Sequence, residues 1–364
     1  MSGPLRVGLV GAGFISGQYS QTLARSPGLR VSAVSDLQTA RAEALAAQHE
    51  GARVLPLPDL LAAPDVDVVL VLSLPDSHAE LASAAIAAGK HVYVEKPLAL
   101  SVAEGRKVVE AATAADLRVG CAPDTVLGTG VQTARAVVDA GRIGTPHSAT
   151  AFMTTPGHER WHPDPEFYYR PGGGPLLDMG PYYLTALVHL LGPVERVVGA
   201  STRPLPTRTI GSGPRAGTPF PVEVDTTVTG ILEHASGAVS TLVMSFDVWA
   251  ARLPAIEVHG TGGSLSVPDP NLFTGQVELH PAAATEWVDV GVVAGFRDAG
   301  RGCGLADLAA ALGEGRAHRA GAEVALHVLD VMQSVQTAAD TRASVALTTT
   351  CRRPEPVFGV VDLV

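Results

Sequence analysis

The chain reads as an α/β protein. An N-terminal doubly wound parallel sheet is expected over residues 1–122, then an α+β domain over residues 123–364 with a large, open, mostly antiparallel sheet. Three observations predict this. The first third alternates apolar strand-like runs with helix-like segments. Its first strand runs straight into a glycine-rich turn. Beyond residue 123 the alternation gives way to β-branched, period-two runs punctuated by Gly and Pro. A length of 364 residues with 46% hydrophobic content suffices for two cores.

The elements follow in order. "LRVGLV" is a buried strand, and Gly11-Ala12-Gly13-Phe14-Ile15-Ser16 after it spells G-x-G-x-x-S. Gly11 permits the tight turn, Gly13 lets backbone approach a pyrophosphate, and a small Ser stands third, where the helix meets the strand. That helix stops near Pro27-Gly28. The next strand, "RVSAVSD", ends at Asp36, 23 residues after Gly13. A carboxylate there accepts hydrogen bonds from an adenosine ribose and repels a 2'-phosphate, which favours NAD over NADP. Asp36 can also cap the helix "LQTARAEALAAQ", and Arg41 leaves some room for NADP.

"VDVVLVLSL" is a near-continuous apolar strand, as in a sheet covered on both faces. The pattern predicts a helix opened by Pro75 and Asp76, a strand "HVYVEKPLAL", a helix "SVAEGRKVVEAATAADL" and a further strand "RVGCAPD". This is the layout of a Rossmann domain, in which ligands sit outside the carboxyl ends of the strands. Phe14, Ile15, Ser73, Leu74, Pro75, His78, Glu95 and Lys96 fall at those ends and join Gly11, Gly13 and Asp36 as candidate cofactor contacts.

Composition narrows the function. With 36 acidic and 26 basic residues, net charge −10 and no basic run, nucleic acid and anionic membrane are not expected partners. Cys121, Cys303 and Cys351 are too scattered for a disulfide framework or zinc ribbon and read as reduced thiols. No signal peptide or membrane-spanning run is read, so a cytoplasmic protein is expected. Lysine occurs only at 90, 96 and 107 among 26 basic residues.

"AGKHVYVEKPLALSVAEG" and, some 80 residues on, "GGGPLLDMGPYYLTALVHLLG" together resemble the Gfo/Idh/MocA oxidoreductases, the family of glucose–fructose oxidoreductase and inositol dehydrogenase. The first carries the E-K-P hallmark, the second a G-G-G-x-L-x-D-x-G-x-[HY] segment, and the likeness in layout covers nearly the whole chain. The resemblance implies that Lys96 contacts the hydroxyl being oxidised, that Asp178 orients the reacting hydroxyls, and that the residue four further on accepts the proton. Many relatives have His there; this chain has Tyr182, a poor base at neutral pH unless a cation such as Lys96 favours its phenolate. Whether Tyr182 or Lys96 is the acceptor stays open. Asp178 can also be a helix cap, and Tyr182 one of two core tyrosines beside Tyr183. With Pro181 in a helical first turn, Asp178 and Tyr182 share one face. His189, further along that face, reads as a core or interface histidine.

"HERWH", residues 158–162, spells the zinc-protease pattern H-E-x-x-H. Such a site needs both histidines on one helical face and a third ligand. Pro156-Gly157 before it and Pro163 and Pro165 after it leave no room for that helix, so no metal is expected. The loop instead mixes aromatic faces with directional polar groups, which suits a carbohydrate. His158, Trp161 and His162 are candidate substrate contacts, together with Asp124; a self-packed surface loop is the plain alternative.

The remaining pattern predicts strands near 147–155, 194–202, 222–232, 238–248, 254–260 and 276–280, with a turn at Ser236-Gly237, a mobile surface loop over 203–219, and two late helices. His318, before the second of these, is a minor candidate. The open sheet leaves a face to cover, so a homodimer or homotetramer through it is expected. The expected activity is an NAD-dependent oxidation of a secondary hydroxyl of a sugar, sugar derivative or cyclitol. Two alternatives stand beside it: an NAD-requiring glycoside hydrolase acting by oxidation and elimination, and a non-catalytic nucleotide or sugar sensor.

Overall fold

The computed structural model describes residues 3–363, which form two compact units. The first contains the N-terminal segment through Gln132, Ala294–Leu329 and the C-terminal segment from Pro354; the second contains Thr133–Val293 and Asp330–Arg353.

The first unit is built on six parallel strands: β1 (Leu5–Val10), β2 (Leu29–Ser35), β3 (Arg53–Val54), β4 (Val68–Val71), β5 (His91–Val94) and β6 (Val119–Cys121), in the order β3-β2-β1-β4-β5-β6. Every position of β4 is buried, which is why that stretch is apolar without alternation. The crossovers carry α1 (Ser16–Arg25), α2 (Thr39–Ala46), α3 (Leu57–Ala62), α4 (His78–Ala87) and α5 (Val102–Ala114). Ser101 and Glu104 open α5 with a reciprocal capping box, the S-x-x-E signature of its sequence. Strand order reverses between β1 and β4, so the turns after these two strands border the crevice where doubly wound sheets bind ligands.

The second unit contains a nine-stranded sheet. Its strands are β7 (Pro146–Thr154), β8 (Val194–Thr202), β11 (Thr227–His234), β12 (Val239–Ser245), β13 (Ile256–Gly260), β14 (Gly263–Val267), β15 (Glu278–Pro281), β16 (Val288–Asp289) and β18 (Val345–Ala346). They run in the order β16-β15-β14-β13-β7-β12-β11-β8-β18, and every pair is antiparallel except β7 with β12. The β11–β12 hairpin turns at Gly237 with φ +84, as its Ser-Gly pair predicts. Helix α7 (Pro175–Leu191) packs on β7, β11 and β12. Gly199 and Gly230, paired across β8 and β11, let the helix segment at Val335 lie directly on the sheet; a Cβ at Gly199 would stand 2.2 Å from the Val335 carbonyl oxygen. The opposite face keeps Val198, Ile231 and Val239 exposed.

Two expectations are corrected. The segment 203–219 is not a free surface loop: β9 (Thr207–Thr209) and β10 (Pro219–Pro221) pair in a hairpin, because Arg208 is drawn into a buried ion pair. Pro181 is not in a first turn. Helix α7 begins six residues earlier, at Pro175 after Gly174 (φ +92), and Pro181 sits inside it, where it cannot donate a helical N–H. Of the remaining elements, α6 (Thr129–Asp139) precedes β7; β17 (Gly295–Phe296) pairs with β19 (Val360–Val361), and α8 (Cys303–Glu314) and α9 (Ala322–Thr341) are the two late helices.

Candidate active site

The turn after β1 has the form a pyrophosphate needs. Gly11 has φ +100, and a Cβ on it would stand 2.7 Å from the Leu72 backbone, so only glycine fits. A Cβ on Gly13 would meet nothing within 4 Å, which leaves the backbone open to a ligand at the start of α1. Asp36 accepts hydrogen bonds from the Ala12 N–H (2.7 Å) and the Gln38 N–H (2.7 Å), tying the glycine turn to the end of β2. It does not cap α2, whose N-cap is Gln38 without a side-chain bond. Phe14, Leu37 and Leu74, in the turns after β1, β2 and β4, are 94%, 105% and 74% exposed. Exposed apolar side chains gathered at strand ends suit a flat ligand that they cover. These residues fit a dinucleotide.

The E-K-P turn follows β5. Glu95 is buried, and its Oε2 accepts from the Tyr19 hydroxyl (3.1 Å) and from the Lys96 backbone N–H (2.9 Å). Burial and the Glu95 charge push the Tyr19 pKa well up, so its proton stays on and donates. His78 is 1% exposed, and its ring nitrogens face the Pro97 carbonyl (2.7 Å) and the Ser73 carbonyl (3.1 Å). Both residues therefore act on the backbone that presents Lys96. Ser73 and Pro75 stand in the turn after β4, where the Ser73 and Ser77 hydroxyls bond at 2.7 Å.

Asp124 is fully buried. Its Oδ2 accepts from the N–H groups of Gly302 (2.7 Å) and Gly304 (3.0 Å) at the start of α8, with the Tyr93 hydroxyl at 3.4 Å. Burial raises its pKa, partly offset by those two N–H donors. Its observed partners are thus those of a terminus for α8, a role its sequence neighbourhood does not announce. Cys121 and Cys303 are buried free thiols, and Cys351 is a partly exposed one. His318 is engaged by the Val119 carbonyl at 3.1 Å, and burial lowers its pKa.

In the second unit, Asp178 lies in the first turn of α7, where a carboxylate meets the positive end of the helix dipole. Tyr182, one turn on, is 4% exposed; Tyr183 beside it donates to Asp269 at 3.1 Å, and burial pushes its pKa well up. His189 is buried further along α7, its carbonyl accepting from Arg135 and Arg353.

Asp178 has a partner that the sequence did not disclose. His158 reaches it from the loop after β7, with Nε2 3.1 Å from Oδ2. The imidazole is packed against Phe246 (4.4 Å), Tyr168 (4.8 Å) and Trp161 (5.3 Å). The turn itself is a single 3-10 turn, His158–Arg160, so the two histidines share no α-helical face. His162 faces Phe167 and accepts from the Asp164 N–H (3.1 Å). Glu159 is taken by Arg208 (2.8 Å) and by the Tyr169 hydroxyl, while Arg208 also pairs with Asp247 and donates to the Phe246 carbonyl. Burial opposes the Arg208 charge, but Tyr169, Glu159 and Asp247 outweigh it and hold its pKa up. Among the described residues, no three His, Cys, Asp or Glu side chains converge as metal ligands. Trp161 is 59% exposed; Trp249, 76% exposed beneath the Arg160 guanidinium at 4.8 Å, adds an aromatic face that a lone Trp in a turn could not signal.

Known proteins share this layout. A family model described as "Oxidoreductase family, NAD-binding Rossmann fold" matches residues 5–122, and the GFO/IDH/MocA C-terminal domain matches residues 131–266. Inositol 2-dehydrogenase 3 of Saccharopolyspora erythraea is 37% identical over 185 residues, 44% of this chain and about half (54%) of that protein. The 1,5-anhydro-D-fructose reductase of Ensifer adhaerens is 30% identical over 71% of this chain and 74% of its own. The myo-inositol 2-dehydrogenase of Thermotoga maritima is 28% identical over 72% and 74%. In fold, the chain is similar to an NAD binding oxidoreductase from Klebsiella pneumoniae (TM-score 0.82, 23% identity, 95% of this chain and 99% of that one). It is also similar to levoglucosan dehydrogenase in complex with NADH and L-sorbose (TM-score 0.81, 21% identity, 95% and 100%).

Proposed function

This chain belongs to the GFO/IDH/MocA oxidoreductase family, with an NAD-binding Rossmann fold, and on that premise we propose that it oxidises a secondary hydroxyl of a sugar, sugar derivative or cyclitol. The observation that carries the reading is the E-K-P turn in the unit that carries the glycine turn: a lysine at a strand end whose backbone N–H is held by Glu95, itself bonded by Tyr19, with His78 against the carbonyl of the next residue, Pro97. The curated relatives, inositol dehydrogenases and a sugar reductase, support the substrate class.

Bound NAD supplies the acceptor for the hydride. Gly11, Gly13, Phe14, Ile15 and the turn at Ser73–Pro75 hold the dinucleotide, and Asp36 receives its ribose hydroxyls, which sets NAD above NADP. Lys96 donates to the substrate hydroxyl and stabilises the oxygen as its proton departs; a compact ammonium suits this better than an arginine fork. Asp178 orients a substrate hydroxyl, and the proton passes to Tyr182, one turn on, as its phenolate, with Lys96 in its neutral amine form as the alternative acceptor. Trp161 and His162 contribute a stacking face and a directional bond to the sugar.

The test measures NADH appearance with myo-inositol, levoglucosan, L-sorbose and further polyols, using NAD and NADP in parallel, for the parent and Lys96→Met. Turnover at the parent's rate in Lys96→Met rejects the assignment. Release of a sugar from a glycoside without net NADH would move it to oxidation–elimination, and cofactor binding without either product would mark a sensor.

A further inference from the structure

The string His158-Glu159 has the spelling of a zinc site, yet both side chains are buried and committed elsewhere. His158 is wedged among the rings of Phe246, Tyr168 and Trp161, so its plane is set by packing. Its backbone N–H donates to the Tyr169 hydroxyl (3.2 Å), which in turn donates to Glu159, whose other oxygen is paired with Arg208. The loop is thereby anchored on both sides of the imidazole. Nε2 lies against Asp178, while Nδ1 is buried without a hydrogen-bond partner among the described residues. The tautomer these surroundings satisfy carries its proton on Nε2 and donates it to the carboxylate.

We propose that His158 is a positioning residue for the oxidation: it fixes the Asp178 carboxylate through the Nε2–H···Oδ2 bond, and the Arg208–Glu159–Tyr169 cluster fixes His158. This rests on the reading of Asp178 as a substrate-orienting carboxylate. No bond to His158 is made or broken in the reaction. The carbinol carbon loses a hydride, the hydroxyl loses a proton along the path described, and the imidazole keeps its own proton. Its contribution is geometric, because a carboxylate that swings by about 1 Å can lose on the order of 100-fold in rate.

The test pairs His158→Gln with His158→Asn, both polar. The glutamine amide reaches as far as Nε2; the asparagine amide reaches only as far as Nδ1. Rates are taken on the most active panel member. The expected result is kcat within about 5-fold of the parent for Gln and about 30-fold or more below it for Asn, with the KM for NAD unchanged in both. In an Asp178→Asn background neither change should slow the enzyme further, since both act through one carboxylate. Equal activity of the Gln and Asn variants overturns the inference, and so does a loss that multiplies with that of Asp178→Asn. Parent-like turnover of Asp178→Asn by itself overturns the underlying reading, and this inference with it.

Discussion

Replacing Arg208 with methionine keeps the length of its stem and removes its charge. The guanidinium donates to Glu159 (2.8 Å), to Asp247, to the Phe246 carbonyl (2.9 Å) and to the Pro156 carbonyl (3.3 Å). Side-chain exposure is 4% for Arg208, 10% for Glu159 and 14% for Asp247. Two charge-assisted bonds at about 1.5–3 kcal/mol each set a loss of roughly 3–6 kcal/mol. Breaking a buried pair from one side costs about 3–5 kcal/mol for the same reason, since two carboxylates are left without a cation. At about 2–4 °C per kcal/mol for a unit of this size, a loss of about 4 kcal/mol lowers the melting temperature by about 8–16 °C. Calorimetry at pH 7.5 should find that shift between variant and parent. A shift below about 2 °C would refute the reasoning.

Three further outcomes are expected. Gly11→Ala forces φ +100 on an L residue and drives a Cβ onto the Leu72 backbone, so NAD affinity in a fluorescence titration should fall by at least about 10-fold. Asp67 accepts from the Arg6 backbone N–H, Nε and Nη2 at 2.9, 2.8 and 2.7 Å, and those bonds lower its pKa. A depressed carboxylate pKa gives stability that is present above the unfolded value and lost as pH falls through the folded one, so the urea-midpoint gap between parent and Asp67→Asn should be open at pH 7 and narrow steadily as pH falls below the ordinary carboxylate range. Ile231, 46% exposed on the open sheet face between Val198 and Thr241, is the site to probe self-association; Ile231→Glu should shift sedimentation velocity toward the monomer, and an unchanged profile argues against that face.

What the sequence carried, it carried locally. The strand-turn-helix unit at Gly11-Ala12-Gly13, the unalternating β4, the capping box of α5 and the Ser-Gly hairpin all depend on residues within a few positions of one another, where backbone sterics and periodicity decide the outcome. The E-K-P turn and the four-residue spacing of Asp178 and Tyr182 were legible for the same reason. The tertiary structure decided the rest, because the energy lies between distant residues. Arg208 turned a Pro- and Thr-rich segment into a hairpin by pairing with Glu159, 49 positions away. Asp124 serves a helix that begins about 180 positions later. β7 found its place between β12 and β13, in a register that no local pattern encodes. The string at 158–162 shows the division most plainly: its spelling suggested zinc, and its prolines argued against it. Only packing could disclose that the histidine was meant for Asp178, since burial, and not spacing, selects the partner of a buried polar group.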